Sequence, residues 1–117
     1  MKKTLLIASL VAATASFAPV SVSYADDSAL RICEYVAAND KNRLRSFLKQ
    51  RKLKIRKIFK DINCNGQNLL VFSASNNALE VGEFVIGKTP AKIVKANLEE
   101  IAKHSAHLAE DAKERIE

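Results

Sequence analysis

Glycine is scarce in this chain of 117 residues. Only Gly66, Gly82 and Gly87 occur, and none builds a phosphate-cradling loop or a G-x-S-x-G elbow. Cysteine is limited to Cys33 and Cys64, which are too far apart for a C-x-x-C redox pair. Histidine is limited to His104 and His107, far downstream, so the four ligands of a structural zinc site are not assembled with the cysteines. No acidic residue falls between Lys41 and Lys60. Beyond residue 25 no run approaches the roughly 18 apolar residues that a membrane-spanning helix needs. These absences argue against the common enzyme signatures, and we expect no enzyme, no cofactor and no transmembrane segment in the mature chain.

The start of the chain is rich in what the rest lacks. Lys2 and Lys3 precede an uncharged apolar run from Leu5 to Ala18, Pro19 breaks it, and Ser23-Tyr24-Ala25 is a small-x-small cleavage site. Residues 1–25 are read as a secretory signal peptide and the mature chain as beginning near Asp26. Cleavage after Ala15 also fits the small-residue rule but leaves an apolar stub; cleavage after Ala18 puts Pro19 first. Residues 26–117 then form one small domain with a modest core. Export places it in the periplasm of a Gram-negative cell and outside any other. In that oxidising compartment Cys33 and Cys64 are expected to form one disulfide, which contributes about 3.5 kcal/mol by loop entropy. No cysteine follows the apolar run closely enough for lipid attachment.

Charge is blocked along the sequence. Residues 26–40 hold one basic and four acidic residues, 41–60 hold ten basic and none acidic, and 61–117 hold six basic and nine acidic. The whole positive excess of the mature chain therefore lies in 41–60, a stretch that attracts polyanions. Arg43, Arg45, Lys49, Arg51 and Lys52 are the candidate anion-binding residues, turned outward while Leu44, Phe47 and Leu48 turn inward. Anionic lipid, acidic polysaccharide or an acidic partner protein are the candidate ligands. Nucleic acid is scarce where the leader sends the chain. A merely solubilising face explains the same charges.

Sliding the chain against itself by 37 residues aligns 36–40 with 73–77, Leu44 with Val81, Phe47 with Phe84 and Leu48 with Val85. Helical spacing is kept on both sides of an asparagine-rich joint, as in two stacked helical hairpins. Asn39, Asp40, Asn76 and Asn77 suit turns and helix N-caps.

On those residues the chain resembles an ankyrin repeat. Asn65 to Leu70, Ala74 to Val81 and Phe84 to Ile86 match its turn, first helix, joint and second helix over 65–88, and 32–49 match more faintly. The family's Thr-Pro-Leu-His start reads Asn68-Leu69-Leu70-Val71 here, and the spacing is 37 rather than about 33. The resemblance implies an all-α fold: two ankyrin-like hairpins stapled by the disulfide. The leader, a cysteine in the first helix and the Cys64-Asn65-Gly66 motif are also similar to small exported bacterial proteins classified as a domain of unknown function. That similarity implies a compartment and no activity, and the expected role is an interaction module of the bacterial envelope.

Between the hairpins, residues 53–62 alternate apolar and basic at first, which favours an extended segment and leaves a helix open. Thr89 and Pro90 suit the start of a helix running over 90–117. Val94, Leu98, Ile101, Ser105, Leu108 and Ala112 form its apolar stripe, which covers the second hairpin or pairs in a coiled coil. Glu100, His104, His107 and Asp111 share one face of that helix at 100° per residue. They are a candidate Zn²⁺ or Cu²⁺ face and equally a solvated charged face. Phe47, Phe72 and Phe84 are assigned to the core, with Phe59 left open.

Overall fold

The computed structural model describes residues 24–117, with side chains described from Asp27 onward. The leader read over 1–25, including both alternative cleavage points, lies outside the described residues as far as Ser23. Tyr24 and Ala25 open the first helix.

Among the described residues eight helices follow one another: α1 (Tyr24–Ala37), α2 (Lys41–Arg51), α3 (Ile55–Ile58) running into a 3₁₀ turn (Phe59–Asp61), α4 (Leu69–Ser75), α5 (Leu79–Lys88), α6 (Ala91–Ala96), α7 (Leu98–His104) and α8 (Ala106–Ile116). No strand occurs among the described residues; Cys64 and Gln67 form an isolated bridge. The fold is all-α, and Cys33 is bonded to Cys64 with their Cα atoms 5.7 Å apart.

The joints explain the pairing of helices. Asn39 (φ 55°) and Asn77 (φ 53°) both take the left-handed conformation that asparagine tolerates better than most residues. At each, the next amide reaches back five residues: Asp40 N donates to Tyr35 O at 2.9 Å, and Ala78 N to Ser73 O at 2.9 Å. The two joints are therefore 38 residues apart, and the 37-residue alignment is corrected by one. At 38, Phe47 matches Val85 and Leu48 matches Ile86, and all four are buried. Phe84, assigned to the core beside Phe47, is instead half-buried.

The pairs stack in two rows. α1 packs on α4 and α4 on α7, while α2 packs on α5 and α5 on α8, with α1–α2, α4–α5 and α7–α8 in contact within each pair. Central α4 is buried on every side from Leu69 to Ala74, as expected for a helix with neighbours all round. Its one buried hydroxyl is satisfied, with Ser73 Oγ donating to Leu69 O at 2.7 Å.

The C-terminal segment is not one long helix over 90–117, and this is the main correction to the expected fold. Asn97 (φ −105°, ψ 4°) ends α6, and its Nδ2 donates to Ile93 O at 2.9 Å. Asn68, the N-cap of α4, donates through Nδ2 to Asn97 Oδ1 at 2.9 Å, pinning the break to the core. Ser105 is extended (φ −153°, ψ 110°) and caps α8, its Oγ accepting from Leu108 N at 3.1 Å. The expected stripe still faces inward, since Val94, Ile101, Ser105, Leu108 and Ala112 are all buried. What reads as the lid of a second hairpin is a third helix pair.

Residues 53–62 are extended only at Lys54 and Ile62, on either side of the short helix and the 3₁₀ turn, because Ile55, Phe59 and Ile62 are all buried at helical spacing and the chain coils to bury them. Thr89 does not cap α6; its Oγ1 donates back to Val85 O at 2.7 Å and closes α5.

A cationic groove as candidate functional site

The loop closed by the disulfide sets one wall of the site. Asn65 (φ 52°) and Gly66 (φ 82°) form the two-residue turn between Cys64 and Gln67, whose backbones exchange hydrogen bonds of 2.7 and 2.9 Å. Positive φ at both central positions is what an Asn-Gly turn supplies. The Cys64-Asn65-Gly66 motif thus aims Cys64 at Cys33 and returns the chain to α4. Within the closed loop α2 ends on Lys52, also left-handed (φ 56°), and α3 then crosses toward the end of α5.

α2, α3, the end of α5 and the tip of α8 enclose an open groove of about 920 Å³. Six cations line it: Arg45, Lys49, Lys54, Arg56, Lys88 and Arg115. No carboxylate, histidine or thiol is in that lining, and its apolar part comes from Leu48, Leu53, Ile55, Phe84 and Pro90. Two of the cations lie over the Phe84 ring, with Arg45 Cζ and Lys88 Nζ each 5.9 Å from its centroid. Arg115 is held by α5, donating through Nε to Ile86 O at 3.3 Å and through Nη2 to Thr89 O at 3.2 Å. Six positive charges around one concavity reinforce one another's field there, because no acidic group interrupts them.

The five residues expected to bind anions are not brought together. Arg45 and Lys49 line the groove, whereas Arg43 and Arg51 line a shallower depression of about 370 Å³ beside α1. Arg43 is paired with Asp40 at 3.5 Å. Arg51, expected to turn outward, is half-buried: its guanidinium lies 4.8 Å from the Phe47 centroid and Nη1 donates to Ser28 Oγ at 3.4 Å. Its fork and apolar stem stack on an aromatic face more readily than they solvate separately. Lys52 is exposed and lines neither concavity. Sequence reasoning missed Lys88, Arg115 and Phe84, which arrive from outside the basic block. The two cations were signalled only as basic residues near helix ends, and Phe84 was assigned to the core.

The expected metal face is likewise divided. Ser105 breaks the helix between His104 and His107, so the four residues share no single face. Glu100 is paired with Lys103 at 2.9 Å, and the Lys103 ammonium holds its carboxyl below the usual range. His107 turns to α5 instead, its Nε2 lying 3.1 Å from Glu83 Oε2 and 3.6 Å from Asp111 Oδ2. The hydrogen bond to Glu83 raises the imidazole pKa. Burial, followed by the charge of Glu83, pushes the Asp111 carboxyl up.

No described helix is long and apolar enough to cross a membrane. No curated protein and no solved structure matches the chain. Residues 32–96, more than half of the sequence, match the model of a protein family of unknown function, DUF3718. The match runs from α1 to the end of α6, taking in both cysteines, the Asn-Gly turn and every groove cation except Arg115, and the chain therefore belongs to that family.

Proposed function

We propose that this is a non-enzymatic, exported interaction module of the bacterial envelope, whose groove between α2, α3 and α5 receives an acidic segment of a partner protein. One observation carries the reading: six cations and no carboxylate line a concavity with an apolar floor. The disulfide supports an oxidising compartment, and so supports export. Three stacked helix pairs support the ankyrin-like resemblance, since such stacks present concave binding surfaces. The groove lining holds a hydroxyl, Ser46, and lysine amines, but no histidine, carboxylate or thiol to act beside them as base or nucleophile, which favours binding over catalysis.

A protein segment suits this groove better than a lipid surface. Leu30, on α1, is the one large apolar side chain exposed among the described residues, so no apolar wedge stands beside the cations to enter a bilayer. The test is fluorescence anisotropy with a labelled ten-residue peptide alternating glutamate and leucine, at low and physiological salt. Parallel arms use phosphatidylglycerol vesicles and an acidic glycan. We expect saturable peptide binding that weakens as salt rises. Replacing Lys49, Arg56 and Lys88 with Gln should weaken it by about threefold to a hundredfold, from three rim pairs worth about 0.2–1 kcal/mol each. Preferential retention on vesicles or glycan would reassign the groove to anionic lipid or polysaccharide, and no saturable peptide binding at low salt would overturn the reading.

A further inference from the structure

Outside the groove lining, α5 and α8 approach closely at Gly82. A Cβ at that position would lie 2.5 Å from Cδ1 of Leu108, so only glycine lets the buried leucine seat there. This contact fixes the register of the neighbours on each side: Glu83 follows Gly82, His107 precedes Leu108, and Asp111 lies one turn further along α8. The ligand atoms of Glu83, His107 and Asp111 all lie within 4.8 Å of one another. Asp111 Oδ2 is itself shielded from solvent and accepts no hydrogen bond, although the side chain as a whole is 26% exposed and His107 Nε2 stands at ion-pair distance, 3.6 Å. A buried acceptor without a donor is costly, and a cation resolves it.

We propose that Glu83, His107 and Asp111 form a zinc site that clasps α5 to α8, with solvent completing the coordination. Zinc binds imidazole nitrogen and carboxylate oxygen at about 2.0–2.2 Å, so tetrahedral donors around it stand about 3.2–3.6 Å apart. The separations from Nε2, 3.1 and 3.6 Å, already approach that geometry. Imidazole with two carboxylates favours zinc over magnesium or calcium, which seek all-oxygen shells. The backbone scaffold is rigid here, because Gly82 and Leu108 are both buried in the α5–α8 contact. Two of the ligands, His107 and Asp111, stand beyond the segment matched to the family.

The experiment is calorimetric titration of zinc chloride into the purified, disulfide-bonded, tag-free protein at pH 7.5 after EDTA stripping. One equivalent should bind with a micromolar Kd, and magnesium should not compete. His107→Gln, Glu83→Gln and Asp111→Asn should each raise Kd at least tenfold, with helical circular dichroism unchanged. His104→Gln and Glu100→Gln should leave it as it is. Cobalt gives a second readout: the visible absorption of tetrahedral Co²⁺ should develop in the parent and be lost in Asp111→Asn, which keeps the shape of the side chain. Absence of saturable zinc binding below 1 mM would overturn the site. So would binding that survives His107→Gln, or binding that is lost with His104.

Discussion

Asn39 shows how one side chain can serve two helix pairs. Its backbone turns the corner after α1 with φ 55°, and its Oδ1 accepts from Glu80 N and Val81 N, each at 3.0 Å. α5 needs this help because Ala78 at its own N-cap has no side-chain acceptor. Asn39→Ala should therefore lose a cap and keep an unfavourable left-handed turn, costing about 2 kcal/mol. Asn39→Gly keeps the turn at ease and should cost less. Urea denaturation measures both values, and faster amide exchange at Glu80 and Val81 would locate the loss in α5. The sequence marks Asn39 plainly as a turn or capping residue; what it hides is that the capped helix belongs to the next pair. The same limit applies to Phe84. Its type and spacing resemble those of Phe47, but a joint shifted by one residue rotates it about 100° from the core toward the groove.

Individual elements were legible where a periodic apolar face met a clear cap, and illegible where a polar residue did both jobs. α2 is the clear case, with Asp40 accepting from Arg43 N at 3.1 Å and Leu44, Phe47 and Leu48 buried as expected. Ser105 is the opaque one. It occupies a seam position in the 94–112 stripe and is indeed buried, so periodicity carries straight through it. Yet its short hydroxyl also caps α8, which lets the helix stop and restart without turning the stripe away from the core. Asn97 behaves similarly, its break secured by Asn68 nearly thirty residues earlier, which no local pattern reveals. The end of α2 allows a test at this scale. Lys52 holds φ 56° while its amide bonds to Leu48 O and Lys49 O, and Leu53 N donates to Leu48 O at 2.8 Å. Glycine is the usual occupant of such a position, so Lys52→Gly should stabilise the protein by about 1 kcal/mol in thermal or chemical denaturation. Peptide binding should be unchanged, because Lys52 does not line the groove. Weakened binding would show instead that the charge of the basic block matters more than the geometry of the groove.

At the scale of the molecule, the disulfide and the groove form one device. The bridge closes the loop from Cys33 to Cys64, which contains α2, α3 and four of the six groove cations: Arg45, Lys49, Lys54 and Arg56. Lys88 and Arg115 stand outside it on the facing wall, so the concavity exists only while the loop is held against the rest of the stack. The cysteine pairing and the excess charge of residues 41–60 were both readable in the sequence. The facing wall was not, because it is made by folding rather than by proximity along the chain. Opening the bridge removes about 3.5 kcal/mol of loop-entropy stabilisation, a large share of what a small domain has. For a domain of this size that corresponds to a fall in Tm of about 15 °C or more. Reduction should also weaken acidic-peptide binding at temperatures where α4 and α5 remain folded, since one wall loses its anchor while the other persists. Cys33→Ser with Cys64→Ser, followed by circular dichroism and anisotropy across a temperature series, separates the two effects. A fall in Tm with peptide affinity unchanged below the transition would show that the stack alone holds the groove open.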